Sequence, residues 1–146
     1  MTDLPHMTIY TDGACEPNPG PGGWAALLVF GKLEKVLTGS EDATTNNRME
    51  LTAAVRALEA LKEPCRIDFY TDSQYLRRGI SEWLPDWRRR GWKRKGGKLA
   101  NIDLWQELEA GLKEHTISWH WVRGHAGDRL NQRVDGLARK AMRKTP

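Results

Sequence analysis

The chain has 146 residues and a formal net charge of +4, and this length suits one domain with a sizeable core. It has no hydrophobic stretch long enough to cross a membrane, and residues 1–6 lack the apolar run of a secretory signal. Its two cysteines, Cys15 and Cys65, have neither the number of a disulfide scaffold nor the spacing of a zinc site, so we expect free thiols. Membrane-spanning and disulfide-rich classes are thereby excluded, and we expect residues 1–146 to form a single-domain, cytoplasmic monomer.

The first half of the chain predicts a three-stranded meander, a helix and a fourth strand. Extended runs at 7–12, 24–30 and 33–39 are separated by a turn-rich loop over 17–23 and by a two-residue hairpin at 31–32. Capping residues at 44–47 then precede a helix that stops before Pro64. Strand four covers 67–71, and the strand-helix-strand order favours a right-handed crossover that makes it parallel to strand one.

The second half predicts two helices around a fifth strand, after a region of short helical pieces. We expect these pieces to be broken at Gly79, Pro85 and Gly91. A helix containing 102–112 follows, and then strand five over 116–122. The closing helix is expected to bury Leu130, Val134, Leu137, Ala138 and Ala141. This order of strands and helices is an α/β organisation.

Strands one and four end in the same tripeptide, Tyr-Thr-Asp, which closes on Asp12 and on Asp72. If the two strands are neighbours and parallel, their carboxylates meet at the carboxyl edge of the sheet, where open α/β sheets place their sites. Glu50 and Asp135 border the buried faces of the first and last helices, so they too are directed toward the sheet. Four converging acids repel one another unless cations are present, and ligands that are all oxygen favour magnesium or manganese over zinc. The sequence therefore predicts a divalent metal site.

Ordinary structural roles are open for each of these acids. The two strand-end aspartates could cap turns. Glu50 could form a capping box with Asn47, and Asp135 could pair with Arg139 one turn later. Only the metal site accounts for the repeated tripeptide.

Positive charge is concentrated between Arg77 and Lys98. This segment holds nine basic and two acidic residues, a net charge of +7, which leaves −3 for the remainder of the chain. Such a distribution is typical of a protein that binds a polyanion at one place. Trp83, Trp87 and Trp92 lie within the segment and could contact the partner or anchor the segment to the body. Three other tryptophans are expected in the core: Trp105, Trp119 and Trp121.

Several long motifs resemble the type 1 ribonucleases H, and the bacterial members most closely. In chain order they are Tyr-Thr-Asp-Gly-Ala-Cys-Glu-Pro-Asn-Pro-Gly-Pro-Gly-Gly-Trp from residue 10, Thr-Thr-Asn-Asn-Arg-Met-Glu-Leu from 44, Tyr-Thr-Asp-Ser-Gln-Tyr from 70, Arg-Gly-Trp-Lys from 90, Asn-Ile-Asp-Leu-Trp from 101, Trp-Val-Arg-Gly-His-Ala-Gly from 121 and Asn-Gln-Arg-Val-Asp-Gly-Leu-Ala from 131. The resemblance covers nearly the whole chain. One departure is Gln132, where the family usually has an acid just after the asparagine that precedes the final helix.

This resemblance implies a ribonuclease H-like fold, in which helices flank a five-stranded mixed sheet, with a basic protrusion at about 80–100. It implies an endonuclease that cuts the RNA strand of RNA–DNA hybrids and leaves 5′-phosphate and 3′-hydroxyl ends. Asp12 would bridge two Mg²⁺ ions, with Glu50 and Asp72 on one side and Asp135 on the other, and Mn²⁺ could substitute. Ions about 4 Å apart would hold the attacking water and stabilise the leaving oxygen. His125 would assist proton transfer or product departure, the alternative being a loop histidine without a chemical role.

The resemblance also implies how the hybrid is recognised. Groove shape and the 2′-hydroxyl distinguish RNA from DNA, so we expect specificity for the hybrid form with little base preference. The implied contacts at the site are Cys15, Asn18, Thr45, Asn46 and Gln74. The implied contacts of the basic protrusion with the DNA strand are Trp83, Trp87, Arg88, Arg89, Arg90 and Lys93.

Two other functions share some of these features. Integrases, transposases and junction resolvases use a related sheet and acidic cluster, but the basic protrusion and the loop motifs argue against a DNA-strand-transfer enzyme. A noncatalytic hybrid-binding module is the second alternative. All four acids are present, whereas a pure binder would gain from losing negative charge near phosphates.

Overall fold

The computed structural model describes residues 4–92, 100–123 and 128–143. Five strands form one sheet in the order β3-β2-β1-β4-β5. They are β1 (His6–Cys15), β2 (Gly20–Phe30), β3 (Leu33–Thr44), β4 (Arg66–Thr71) and β5 (Thr116–Trp121). The first three are antiparallel, whereas β4 is parallel to β1 and β5 is parallel to β4. The mixed five-stranded sheet, the meander and the parallel crossover are confirmed.

Helices pack on both faces of the sheet. They are α1 (Asn46–Glu59), α2 (Gln74–Arg78), α3 (Leu84–Arg89), α4 (Ile102–Glu114) and α5 (Arg129–Arg143), with a π-helical turn, Gly79–Trp83, between α2 and α3. On one face, α1 and α4 share a core with Ile9 and Phe69. On the other face, α5 packs through Val134 and Ala138 against Tyr10 and Leu27. Within the described ranges, no helix is both long enough and apolar enough to span a membrane.

The strands of the meander are longer than the sequence predicts. β1 continues past Asp12 to Cys15, which pairs with Gly22 of β2. The turn-rich loop expected over 17–23 therefore shrinks to 16–19, because the glycines at its end lie in β2. Asp12 is consequently held inside a strand rather than at a strand end.

The region after β4 consists of short helical pieces, as predicted: α2 ends at Gly79, α3 begins beside Pro85, and α3 ends before Gly91. A helical path runs from residue 74 to 89. Pro85 lies in the first turn of α3, where a missing N–H costs least. A Cβ at Gly79 would lie 1.9 Å from the Trp105 ring, so the glycine at the end of α2 also permits close packing against Trp105.

Other details of the sequence reading are confirmed only in part. Both cysteines are free thiols, and Trp105 is fully buried. Trp119 and Trp121 are only half-buried and stack on each other at 5.4 Å. In the closing helix Val134, Ala138 and Ala141 are buried, whereas the side chains that are only half-buried are Leu130 and Leu137.

Two boundaries at the ends of the fold differ from expectation. β1 begins at His6, one residue earlier than predicted, and His6 pairs with Arg66 of β4. α5 begins at Arg129, and Asn131 and Gln132 therefore lie in its first turn rather than before it.

Candidate active site

The register of β1 and β4 brings two of the predicted acids to the same edge of the sheet. The strands pair from His6–Arg66 to Tyr10–Tyr70, and Asp12 and Asp72 follow two residues later. Asp12 is still paired with β2 and is only 5% exposed. Because side chains alternate along a strand, Asp12 lies on the sheet face that carries Tyr10, whereas Asp72 follows directly after the end of β4 at Thr71.

Glu50 reaches the same place from the beginning of α1. The side chain of Thr45 caps this helix by accepting the N–H of Arg48 at 3.1 Å. Glu50 therefore does not form the capping box considered from the sequence. A Cβ on Gly13 would lie 2.4 Å from the Glu50 nitrogen, so only glycine lets the helix approach β1 this closely.

The side chains of Asp12, Glu50 and Asp72 form an acidic triad, with one carboxylate oxygen of each within 4.8 Å of the others. Burial, repulsion from Asp72 and a hydrogen bond with Asp135 raise the pKa of Asp12 to about 9. Burial raises the pKa of Glu50 to about 7, although a hydrogen bond from Ser73 opposes this change. A divalent cation would relieve both the desolvation and the repulsion. The all-oxygen donor set fits Mg²⁺ or Mn²⁺.

Asp135 approaches the triad from α5. Hydrogen bonding and charge repulsion from its carboxyl group both contribute to the raised pKa of Asp12, and its Oδ2 accepts a hydrogen bond from Arg139 Nε at 3.1 Å. The surface pairing with Arg139 and the contact with the acidic triad therefore coexist. Beside them is a cavity of about 130 Å³ lined by Gly13, Ala14, Cys15, Glu16, Asn46, Asp135, Arg139 and Met142.

Polar residues expected to contact a substrate surround this edge of the sheet. Asn46 Nδ2 donates to Glu50 Oε1 at 3.1 Å, and its backbone N–H donates to Asn18 Oδ1, also at 3.1 Å. Cys15 Sγ lies 3.4 Å from the carbonyl oxygen of Pro17 in the loop after β1 and 3.4 Å from that of Gly20, the first residue of β2. Gln74 is exposed at the first position of α2. His125 and Lys93 lie outside the described residues.

The tryptophans of the basic segment are attached to the core. The Trp83 and Trp87 rings lie 6.1 and 5.8 Å from that of Trp105, and Trp92 lies 5.9 Å from Trp87. All three tryptophans of the segment are half-buried. Their packing supports the anchoring role that the sequence left open.

The arginines of the segment are in two different environments. Arg88 Nε donates to both carboxylate oxygens of Glu109, at 2.8 and 2.7 Å, and Glu109 is 7% exposed. Arg89 and Arg90 instead pair with Asp86, at 3.3 and 3.2 Å, and both arginines are exposed. Sequence reasoning missed Glu109, although an acid one turn after Trp105 on the apolar stripe of α4 was a usable signal.

The sheet order, the mixed strand directions and the carboxylates at the edge shared by β1 and β4 define a ribonuclease H-like fold. Comparison with known proteins agrees with this class. The family model for RNase H matches residues 5–143.

Relatives and solved structures are similar along most of the chain. Ribonuclease H of Bradyrhizobium diazoefficiens is 58% identical over 145 residues, covering 99% of this chain and 94% of the relative. Ribonuclease H of Phenylobacterium zucineum is 57% identical over 139 residues, covering 94% and 91%. The structure of LC9-RNase H1, a type 1 RNase H with the type 2 active-site motif, matches with a TM-score of 0.89 and 34% identity, covering 100% of this chain and 76% of that one. LC11-RNase H1, in complex with an RNA/DNA hybrid, has a TM-score of 0.68 at 20% identity and covers 94% and 97%. The chain belongs to the ribonuclease H family, and it is an enzyme that hydrolyses phosphodiester bonds.

Proposed function

We propose that the protein is an endonuclease that hydrolyses the RNA strand of RNA–DNA hybrids and leaves 5′-phosphate and 3′-hydroxyl ends. The observation that carries this proposal is the acidic triad, whose carboxylate oxygens lie within 4.8 Å of one another. Family membership supplies the reaction class. The buried, mutually repelling carboxylates supply a reason for a divalent cation at this edge of the sheet.

Asp12 has the central role in the proposed metal site because it contacts acids on two sides. Glu50 and Asp72 would hold one Mg²⁺ with it, and Asp135 would hold the second. Mn²⁺ can replace Mg²⁺ because both prefer oxygen ligands. When bound, two such ions activate a water molecule and stabilise charge on the leaving oxygen.

Neighbouring side chains orient these ligands. Asn46 donates to Glu50 Oε1 and Arg139 donates to Asp135 Oδ2, so a hydrogen bond fixes the orientation of each carboxylate. We assign His125 the auxiliary role of moving a proton or releasing product.

Substrate contacts are proposed on both sides of the acidic triad. The amides and the loop that ends β1 would read the groove and the 2′-hydroxyl through Cys15, Asn18, Thr45, Asn46 and Gln74. The exposed Arg89 and Arg90, with Lys93, would bind phosphates of the DNA strand. Trp83, Trp87 and Arg88 would contribute mainly by holding this surface in place, because the two tryptophans pack on the core and Arg88 is paired with Glu109.

We also propose that residues 1–146 act as one domain, with the basic protrusion at about 80–100, as a monomer in the cytoplasm. One chain supplies all four acids, so the proposed site needs no second copy.

Four labelled substrates test this proposal: an RNA–DNA hybrid, an RNA duplex, a DNA duplex and single-stranded RNA, each incubated with Mg²⁺. We expect cutting only in the RNA strand of the hybrid, since the proposed contacts recognise the hybrid form. Equal cutting of the DNA duplex would favour a DNA-strand-transfer enzyme and contradict the proposal. Tight hybrid binding without cutting would favour a noncatalytic module.

A further inference from the structure

The strands that carry Asp12 and Asp72 separate immediately before these acids. The register between β1 and β4 ends at Tyr10–Tyr70. Beyond this point β1 pairs with β2 as far as Cys15, and β4 pairs with β5 as far as Thr71. In the register of the described strands, backbone pairing therefore does not set the distance between the two carboxylates.

Three stacked rings lie across the sheet at this fork. The Tyr10 and Tyr70 rings have centroids 4.6 Å apart and planes 8° from parallel. The Tyr70 and His120 rings have centroids 4.4 Å apart and planes 12° from parallel. The three residues occupy the same register position on β1, β4 and β5. Their centroid spacing is close to the strand spacing of about 4.8 Å. The rings are therefore about as far apart as the strands that bear them.

Both ends of this stack are held in place. Tyr10 is buried in the cluster that includes Val134 and Ala138 of α5. At the other end, His120 Nε2 lies 2.8 Å from an oxygen of Asp68, and the second oxygen of Asp68 is hydrogen-bonded to His6. Tyr70 therefore cannot shift sideways without disturbing a fixed neighbour.

We propose that the stack of Tyr10, Tyr70 and His120 is a positioning element that holds the side chains at the last paired position of β1 and β4 and limits how far the residues beyond it can separate, and that it thereby sets the affinity of the acidic site for divalent cations. This inference rests on the proposed metal-dependent function. Stacked rings resist compression and lose contact when they spread, so they act as a spacer of fixed width. Asp12 follows Tyr10 by two residues within β1, and Asp72 follows Tyr70 by two residues just after the end of β4, so the stack lies at the last paired position before both acids.

The test compares two variants of Tyr70 with a matched control. Tyr70→Phe keeps the ring, whereas Tyr70→Leu removes it. The control, Phe69→Leu, removes a ring from the adjacent residue, which is buried on the opposite face against Trp119. Mn²⁺ affinity is measured by calorimetric titration without substrate, and the rise of Tm with Mg²⁺ is measured in parallel.

We expect Tyr70→Phe to bind Mn²⁺ like the wild type and Tyr70→Leu to bind it roughly 10-fold to 100-fold more weakly, the range for residues that support metal ligands. The Mg²⁺ concentration for half-maximal activity should rise in Tyr70→Leu, with kcat recovering at saturating metal. Phe69→Leu should lower Tm and leave the Mn²⁺ affinity unchanged. His120→Leu removes the outer ring from a partly exposed position, and it should weaken binding in the same direction even if Tyr70→Leu does not fold.

Unchanged Mn²⁺ affinity in the folded Tyr70 and His120 variants would overturn the inference, as would an equal loss in Phe69→Leu. These results would leave the proposed function intact if the wild type binds metal. Failure of the wild type to bind either cation would instead contradict the proposed metal site, and the inference with it.

Discussion

Asp12 is the residue at which function and stability conflict most strongly. It lies inside β1 with 5% exposure, and burial together with repulsion from Asp72 raises its pKa to about 9. A carboxylate in this position destabilises the metal-free fold whenever it is ionised. A bound cation would offset this cost, which explains why a carboxylate occupies this buried position.

This conflict predicts how the stability of the metal-free protein depends on pH. The folded-state pKa of Asp12, about 9, lies above the ordinary value of 3.8, so the folded state binds more protons between these values. The resulting stability is present below pH 4 and is lost as the pH rises toward 9. Asp12→Asn cannot ionise, and its Tm should fall less than that of the wild type between pH 5 and pH 9 in EDTA.

Thermal unfolding across this pH range, with and without Mg²⁺, checks the prediction. Each kcal/mol of difference corresponds to roughly 2–4 °C in Tm for a chain of this size. Mg²⁺ should raise the Tm of the wild type and have little effect on Asp12→Asn. Parallel pH curves for the two proteins would show that Asp12 is not the destabilising group.

A second comparison at the residue scale separates a proposed ligand from the proposed auxiliary. Asp12→Asn should abolish detectable cleavage yet retain or strengthen hybrid binding, because the substitution removes a negative charge near phosphates. His125→Ala should retain measurable turnover, since losing one proton-transfer group costs about 10²-fold to 10⁴-fold. Single-turnover cleavage and equilibrium binding measure the two effects. If both variants were equally inactive, the roles assigned here would be wrong.

At the scale of elements, the arginines at the end of α3 form ion pairs of two kinds. All three arginines are exposed, but Arg88 pairs with the buried Glu109 of α4, whereas Arg89 and Arg90 share the half-buried Asp86. A charge-rich segment is therefore not uniformly a binding surface. Because its partner Glu109 is buried, Arg88 is the arginine of the three that has a structural role.

The two arginine classes should respond differently to substitution. The double variant Arg89→Ala/Arg90→Ala should raise KM more than it lowers kcat and reduce the log-log salt slope of hybrid binding by roughly 0.7–0.9 for each lost contact. Its Tm should change little, because exposed ion pairs contribute about 0–1 kcal/mol. Arg88→Ala should instead lower stability by about 1–3 kcal/mol, because it leaves a buried carboxylate without its partner.

A matched control resolves what Arg88 does. Adding Glu109→Gln to Arg88→Ala removes the unpaired charge and should restore part of the lost stability, as denaturant unfolding would show. A salt slope that stays unchanged in the Arg89/Arg90 double variant but falls in Arg88→Ala would reverse the assignment.

Sequence reasoning succeeded for features that depend on neighbouring residues in the chain. It failed for features that depend on the packing or pairing of distant elements. The repeated tripeptide located Asp12 and Asp72, and the helical stripes placed Glu50 and Asp135 beside the sheet. The continuation of β1 beyond Asp12 was not predictable, because it depends on pairing with β2. The packing role of Gly79 was missed for a related reason, since the glycine accommodates Trp105 from a distant helix. The stack of Tyr10, Tyr70 and His120 likewise exists only once three strands are in register.

At the scale of the whole molecule, the positive charge that would attract nucleic acid and the carboxylates of the proposed metal site lie in different parts of the chain. The segment from 77 to 98 carries a net +7, while the remaining residues sum to −3 and include the four acids of the site. Phosphates are attracted to the basic segment, and the carboxylates repel them until cations bind. This arrangement predicts that substrate binding survives removal of divalent metal, whereas cleavage does not.

The central claim is that this acidic site cleaves the RNA strand of a hybrid with a metal-dependent attack by water. One measurement tests it most directly: a hybrid labelled on both strands is digested by the wild type and by Asp12→Asn, with Mg²⁺ or EDTA, and the ends of every product are identified. We predict RNA fragments with 5′-phosphate and 3′-hydroxyl ends, an intact DNA strand, and no products with EDTA or Asp12→Asn. RNA fragments ending in 2′,3′-cyclic phosphates, formed equally well in EDTA, would show that the 2′-hydroxyl is the nucleophile and would contradict the account.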